Sequence, residues 1–166
     1  MVTITMDVGL WQAARSHLDT SAERVGFFLA DWSPLDRCFA VRHWRPILDG
    51  TAGFPDKIHV ELSDDTQEAI IRWAWAEAGC LIEAHSHGNW SPAAFSQFDL
   101  RGLAEWVPHL WWRMRGRPYA AVVTSKIDFD ALAWINGPAV AEQVDGVATD
   151  TYLAATKATL LLDAKE

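Results

Sequence analysis

Cysteine is scarce in this chain: Cys38 and Cys80 are the only two in 166 residues, too few for a disulfide framework. Long apolar runs are missing as well. Nowhere do the roughly 18 consecutive apolar residues of a membrane-spanning helix occur. Positive charge is outnumbered, with 14 Lys and Arg against 22 Asp and Glu, a formal charge of −8. So acidic a chain would not neutralise the phosphates of a nucleic acid. Its most basic stretch, Arg113-Met114-Arg115-Gly116-Arg117, reads as the solvated end of a helix. The first residues carry no basic segment followed by a long apolar one, so no secretory signal is expected and the cytoplasm is the expected compartment. Repeats, linkers and low-complexity segments are lacking too. What is present, 50% hydrophobic residues over 1–166, suits one domain with a proper core.

Tryptophan is abundant, at 10 residues. Such a count invites a reading as an aromatic-cage binder, but large side chains filling a small core account for most of it. Trp73, Trp75, Trp111, Trp112 and Trp134 all fall in apolar patterns and are assigned to the core. Trp90 is the exception, in a Gly-Asn-Trp-Ser-Pro loop with no periodic neighbours.

Along the chain, residues 2–6 alternate and predict a short edge strand, and 7–18 carry apolar positions at helical spacing. Segments 25–32 and 37–45, joined by Ser33-Pro34-Leu35-Asp36, predict an antiparallel hairpin. A loop is expected over 47–55 and a strand over 57–62. Ser63 then caps a helix running to Ala78 and ended by Gly79. A strand over 80–87, a loop over 88–95 and a helix from Ser96, limited or kinked by Pro108, follow. Strands are expected at 119–125, 129–135 and 139–148, and a weakly patterned helix at 152–163. This order implies an α/β fold with a single mixed β-sheet flanked by helices.

The chemistry concentrates in two places. In His85-Ser86-His87 a strand would point both imidazoles to one face. Alone, that pair reads as two hydrogen-bonded histidines at a strand end. Ser96-Gln97-Phe98-Asp99 then opens the next helix, placing Asp99 in its first turn. Two imidazoles and one carboxylate with a fourth position open suit a catalytic zinc site. Ser-x-x-Asp is equally a capping box, and the two roles are compatible. Water activated at such a site needs a general base. Glu23, before the first long strand, is the candidate, although Thr20-x-x-Glu23 also fits a capping box, and composition does not separate it from Glu61, Glu83 or Glu105.

Taken together, Glu23 with Gly26 and Phe27-Phe28-Leu29, then His85-x-His87, then Ser96-x-x-Asp99 and a strand pair over 119–135, resemble the JAMM (MPN-type) zinc metalloproteases. The resemblance covers roughly residues 20–135 in the family's order. It implies an MPN (cytidine-deaminase-like) architecture, zinc bound by His85, His87 and Asp99, Glu23 as general base, and Ser96 as hydrogen-bond donor to the oxyanion. Two positions depart from the pattern: the loop before Ser96 is one residue longer, and Gly88 stands where Pro is frequent.

The compact form is similar to bacterial members that accompany ubiquitin-like proteins and E1-like and E2-like enzymes in phage-defence systems. The implied activity is isopeptide cleavage after the C-terminal Gly of a ubiquitin-like modifier, freeing the target lysine or amine. The modifier's tail is expected to be captured as an added strand along an exposed sheet edge beside the zinc site at the end of the strand over 80–87, with Trp90 in the loop bordering that edge. Trimming of a sulfur-carrier precursor or of short peptides is the alternative within the family. A non-catalytic scaffold or binding module is the alternative outside enzymology.

Overall fold

Strands that are apolar at consecutive positions must be covered on both faces. Val25 to Ala30 and all of Tyr119 to Thr124 are buried in this way. The computed structural model describes residues 1–20, 22–48, 52–53 and 61–159, with 52, 53 and 61 by backbone alone. Its elements are β1 (Thr3–Thr5), α1 (Val8–Leu18), β2 (Val25–Ser33), β3 (Cys38–Pro46), β4 (Ala52–Gly53), β5 (Glu61–Leu62), α2 (Asp64–Ala76) and β6 (Cys80–Ser86). There follow α3 (Gln97–Arg113), β7 (Tyr119–Thr124), β8 (Phe129–Trp134), β9 (Glu142–Gln143), β10 (Gly146–Ala148) and β11 (Tyr152–Ala154). Nine strands form one mixed sheet in the order β11-β10-β1-β3-β2-β6-β7-β8-β9, and β4 pairs with β5 as a separate ribbon.

The fold is thus mixed α/β. On one face Ala14 and Leu18 of α1 pack with Phe28, Ala30, Ile82 and Ala84. On the other, Ile70 and Ala74 of α2 and Leu103 and Val107 of α3 pack with Phe27, Leu29, Leu81 and Val123. Successive residues of β2 and β6 feed opposite faces, as the two-residue period of a strand requires. Gly26 has a specific job: the Trp44 ring of β3 lies 2.2 Å from where its Cβ would be. Any side chain there would displace that ring from Phe28, its neighbour at 4.5 Å.

Several expectations are corrected. β1 is no edge strand, since it runs parallel between β3 and β10. Its outer side is closed by a strand more than 140 residues downstream, which local alternation cannot reveal. The single strand expected over 139–148 is two short ones, β9 and β10, separated by Val144 and Asp145. Val144 N–H donates to Ala131 of β8 and Asp145 N–H donates to Val2 beside β1, at 3.0 and 2.8 Å. One short segment therefore ties distant strands together, and the sheet curls on itself.

Within the helix expected over 152–163, residues 152–154 instead form β11, and 160–163 lie outside the described residues. Of the strand expected over 57–62, Glu61–Leu62 is β5 and 57–60 lie outside the described residues. Ala52–Gly53 forms β4 inside the expected loop 47–55, whose residues 49–51 and 54–55 also lie outside. Pro108 neither ends α3 nor limits it. Pro108 and Ala104, whose carbonyl loses its helical donor there, both face solvent. Finally, Trp75 and Trp112 are exposed, at 39% and 76%, and do not belong to the core; Trp73, Trp111 and Trp134 do pack against it.

Candidate metal centre

The site forms where β6 ends and α3 begins. β6 lies centrally, antiparallel to β2 and parallel to β7, and α3 is the crossover between the two parallel strands. Glu83, His85 and His87 alternate along β6 toward the α3 side. The loop from residue 88 to 95 then returns the chain to Ser96. Asp128 holds that loop, accepting from Ser91 Oγ at 2.8 Å and Ala93 N–H at 2.9 Å. Gly88 opens it with φ +58°, a left-handed conformation closed to proline, whose φ is held near −65°.

Ser96 is the N-cap of α3, and its capping box with Asp99 is complete. Ser96 Oγ accepts Asp99 N–H at 3.1 Å, while Ser96 N–H and Oγ–H both donate to Asp99 Oδ2 at 2.7 Å. The box fixes the carboxylate against the imidazoles: His87 Nε2 lies 3.1 Å from Oδ2 and His85 Nε2 lies 3.6 Å from Oδ1. Ligand atoms of His85, His87 and Asp99 all fall within 4.8 Å of one another.

The residues fit a metal on two grounds. Both ring nitrogens of His85 are buried without a hydrogen-bond partner among the described residues, a costly arrangement that a cation on Nε2 would relieve there. Two imidazoles and a carboxylate are also the donor set of a three-ligand zinc site. Burial opposes charge on His85, but the facing Asp99 and Glu83 outweigh it and push its pKa up to about 10. Burial likewise opposes ionisation of Asp99, yet His85, His87 and Ser96 hold its carboxyl well below the usual range. Cys80 behaves as an inert thiol, pushed up to about 11 by burial.

A cleft of about 740 Å³ opens beside this cluster, with Glu23, Glu83, His85, Asp99, Phe98 and Trp106 among its lining residues. The β2–β6 register brings Glu23 there: Val25 pairs with His85, and Ser86 N–H donates to Arg24 O at 3.0 Å, so Glu23 comes up beside His87. No helix begins at Thr20, which removes the capping-box explanation of Glu23. Glu105 also lines the cleft but is exposed, six residues beyond Asp99 on α3. Glu83 is engaged by the Tyr119 hydroxyl at 2.8 Å. The side chain of Glu61 lies outside the described residues. Glu83 had a legible signal, its place two residues before His85 on the same strand face, but its partner Tyr119, and Trp106 that donates to Tyr119, are distant in sequence.

Trp90 stands 79% exposed and is not among the residues lining the cleft, whose aromatic walls include Phe98 and Trp106. β2 and β7 occupy both sides of β6, so the site lies at the end of a central strand and not along an open edge.

No protein-family profile matches the chain, and no curated protein does. Among solved structures it is similar to the solution structure of protein DSY2949 from Desulfitobacterium hafniense. That likeness has a TM-score of 0.58 at 15% identity, over 90% of this chain and 94% of the other, and shows the fold alone. Among the described residues no helix is long and apolar enough to cross a membrane.

Proposed function

We propose that the chain is a zinc-dependent isopeptidase of the JAMM (MPN) kind, cleaving a ubiquitin-like modifier from a target amine after the modifier's C-terminal Gly. The observation that carries this reading is the convergence of His85, His87 and Asp99 where β6 ends and α3 begins, with His85 and Asp99 lining the same cleft as Glu23. An MPN architecture needs its ligands at the end of a central strand and the start of the following helix, and that is where these three residues lie.

In this reading His85, His87 and Asp99 hold the metal, which when bound supplies a Lewis acid that activates water and polarises the scissile carbonyl. Glu23 takes the proton from the attacking water and returns it to the nitrogen of the breaking amide, so the amine leaves neutral. The Ser96 hydroxyl donates to the oxygen that becomes negative. Its proton otherwise rests on Asp99 Oδ2, so this role requires the hydroxyl to turn away from its capping bond. The modifier's tail would reach the site through the cleft along α3, past Phe98 and Trp106. Modifier conjugates, and E1-like and E2-like enzymes that make them, are the proposed partners.

The test offers zinc-loaded protein a lysine-linked conjugate and a linear fusion of a ubiquitin-like protein. Cleavage of the conjugate after Gly is expected. Hydrolysis of short peptides or the linear fusion alone would favour precursor trimming, and no cleavage with no zinc uptake would favour a binding module.

A further inference from the structure

We propose that Glu83 is a positioning residue of the metal centre: clamped by Tyr119 and Trp106, it orients the His85 ring so that Nε2 is the atom offered to the metal. The inference rests on the metal centre proposed above and adds residues that neither the His-x-His nor the Ser-x-x-Asp pattern contains.

Three elements build the clamp. The Trp106 indole N–H of α3 donates to the Tyr119 hydroxyl of β7 at 3.1 Å. An indole nitrogen can only donate, so the Tyr119 oxygen is the acceptor and its own proton points onward. It goes to Glu83 Oε2 on β6, at 2.8 Å. The other carboxylate oxygen, Oε1, faces His85 Nδ1 at 3.6 Å. That distance is too long for a hydrogen bond, and Nδ1 is buried with no other partner. Phe95 holds the plane of the ring from the side, edge-on with centroids 5.7 Å apart.

A neutral imidazole carries one N–H. With Nε2 bound to a metal, the proton sits on Nδ1, and Glu83 Oε1 is the carboxylate oxygen that faces it. Metal-bound histidines typically donate their second nitrogen to such a group, which fixes the tautomer and ring angle. The arrangement also explains why Glu83 does not serve as the general base despite lining the cleft. Its two oxygens are directed at Tyr119 and His85.

Zinc affinity reads this out without any turnover, by chelator competition on wild type, Glu83→Gln, Tyr119→Phe and the double variant. Glutamine keeps the size of glutamate but has a single acceptor oxygen, while Tyr119 and His85 both donate. Glu83→Gln should therefore weaken zinc about 10- to 100-fold, the range typical for such outer partners. Removing the competing hydroxyl frees the amide oxygen for His85, so Tyr119→Phe should restore part of the loss in the double variant. A merely structural role for Glu83 predicts no such rescue. Melting of the metal-free proteins, compared in parallel, confirms that each variant is folded. Nitrogen-15 NMR of zinc-loaded wild type should show His85 protonated at Nδ1.

Zinc affinity of Glu83→Gln within twofold of wild type, while His85→Ala has lost the metal, would overturn the inference and leave the metal centre standing. A wild-type chain that takes up no zinc would overturn the metal centre and this inference together, so the two failures read differently.

Discussion

The two ends of α3 open onto cavities of similar size, about 740 Å³ at the N-terminal end and about 670 Å³ at the C-terminal end, with opposite chemistry. At the first, ring nitrogens and a carboxylate are buried and face one another, and the His85 nitrogens have no hydrogen-bond partner. At the second, Trp112 lies 76% exposed, and the guanidinium groups of Arg115 and Arg117 stand 5.5 and 4.6 Å from the Trp75 ring. Arg117 also donates to the carbonyls of Ala74 and Gly79, which closes the C-terminal end of α2. Cation–π stacking and solvent satisfy that groove as it stands. Volume does not separate a site from a dent in the surface; buried polar atoms awaiting a partner do.

The sharpest way to break the comparison is to remove the proposed base from the first cavity. Glu23→Gln should cost at least about two orders of magnitude in turnover while zinc content and melting stay unchanged. Near-normal turnover would move the role to another carboxylate of the cleft, with Glu105 next in line. Ser96→Asp preserves an N-cap but removes the hydroxyl donor and adds negative charge beside the developing oxyanion. Loss of such a donor costs about 3 kcal/mol in the transition state, against about 1 kcal/mol of stability for a lost cap. The variant should be nearly inactive, and an active Ser96→Asp enzyme would confine Ser96 to its cap.

Protonation gives a smaller but direct reading. His85 gains its proton partners on folding, so its contribution to metal-free stability is full below its ordinary value of 6.5 and is lost as pH rises through about 10. The lowered Asp99 contributes above the usual carboxylate range and loses that contribution as pH falls. At pH 7 the metal-free His85 is therefore protonated, and zinc must displace that proton. Calorimetry in two buffers of different ionisation enthalpy should show roughly one proton released per zinc, with affinity falling as pH falls. Binding without proton release would contradict the assignment of His85.

The second cavity should be nearly silent. Trp112→Ala should leave zinc affinity and turnover unchanged and shift stability by no more than about 0.5 kcal/mol, as surface substitutions do.

Much of the site was legible because its parts are local. A two-residue spacing on a strand aims His85 and His87 together, and a three-residue capping box sets Asp99 in the first turn of α3. The hairpin and the Ser63 cap were legible for the same reason, with Ser63 Oγ accepting Thr66 N–H at 3.2 Å. What escaped was non-local. β1 read as an edge because β10 closes it from across the chain. β11 read as helix, although Gly146 lets Tyr152 and Leu153 approach to about 2.6 Å of where a Cβ would be. The burial of Trp75 and Trp112 failed because each follows a core-packed neighbour, Ala74 or Trp111, and so falls on the outer side of its helix. Tyr119 meets Glu83 from another element and is itself held by Trp106 of a third, and no spacing along the chain announces that.

The central claim is that His85, His87 and Asp99 hold one metal ion, and metal content tests it most directly. Protein purified without chelator and analysed by inductively coupled plasma mass spectrometry should carry about one zinc per chain, with His85→Ala and Asp99→Ala folded but depleted of it. Full zinc in both variants, or none in the wild type after incubation with zinc, would contradict the account.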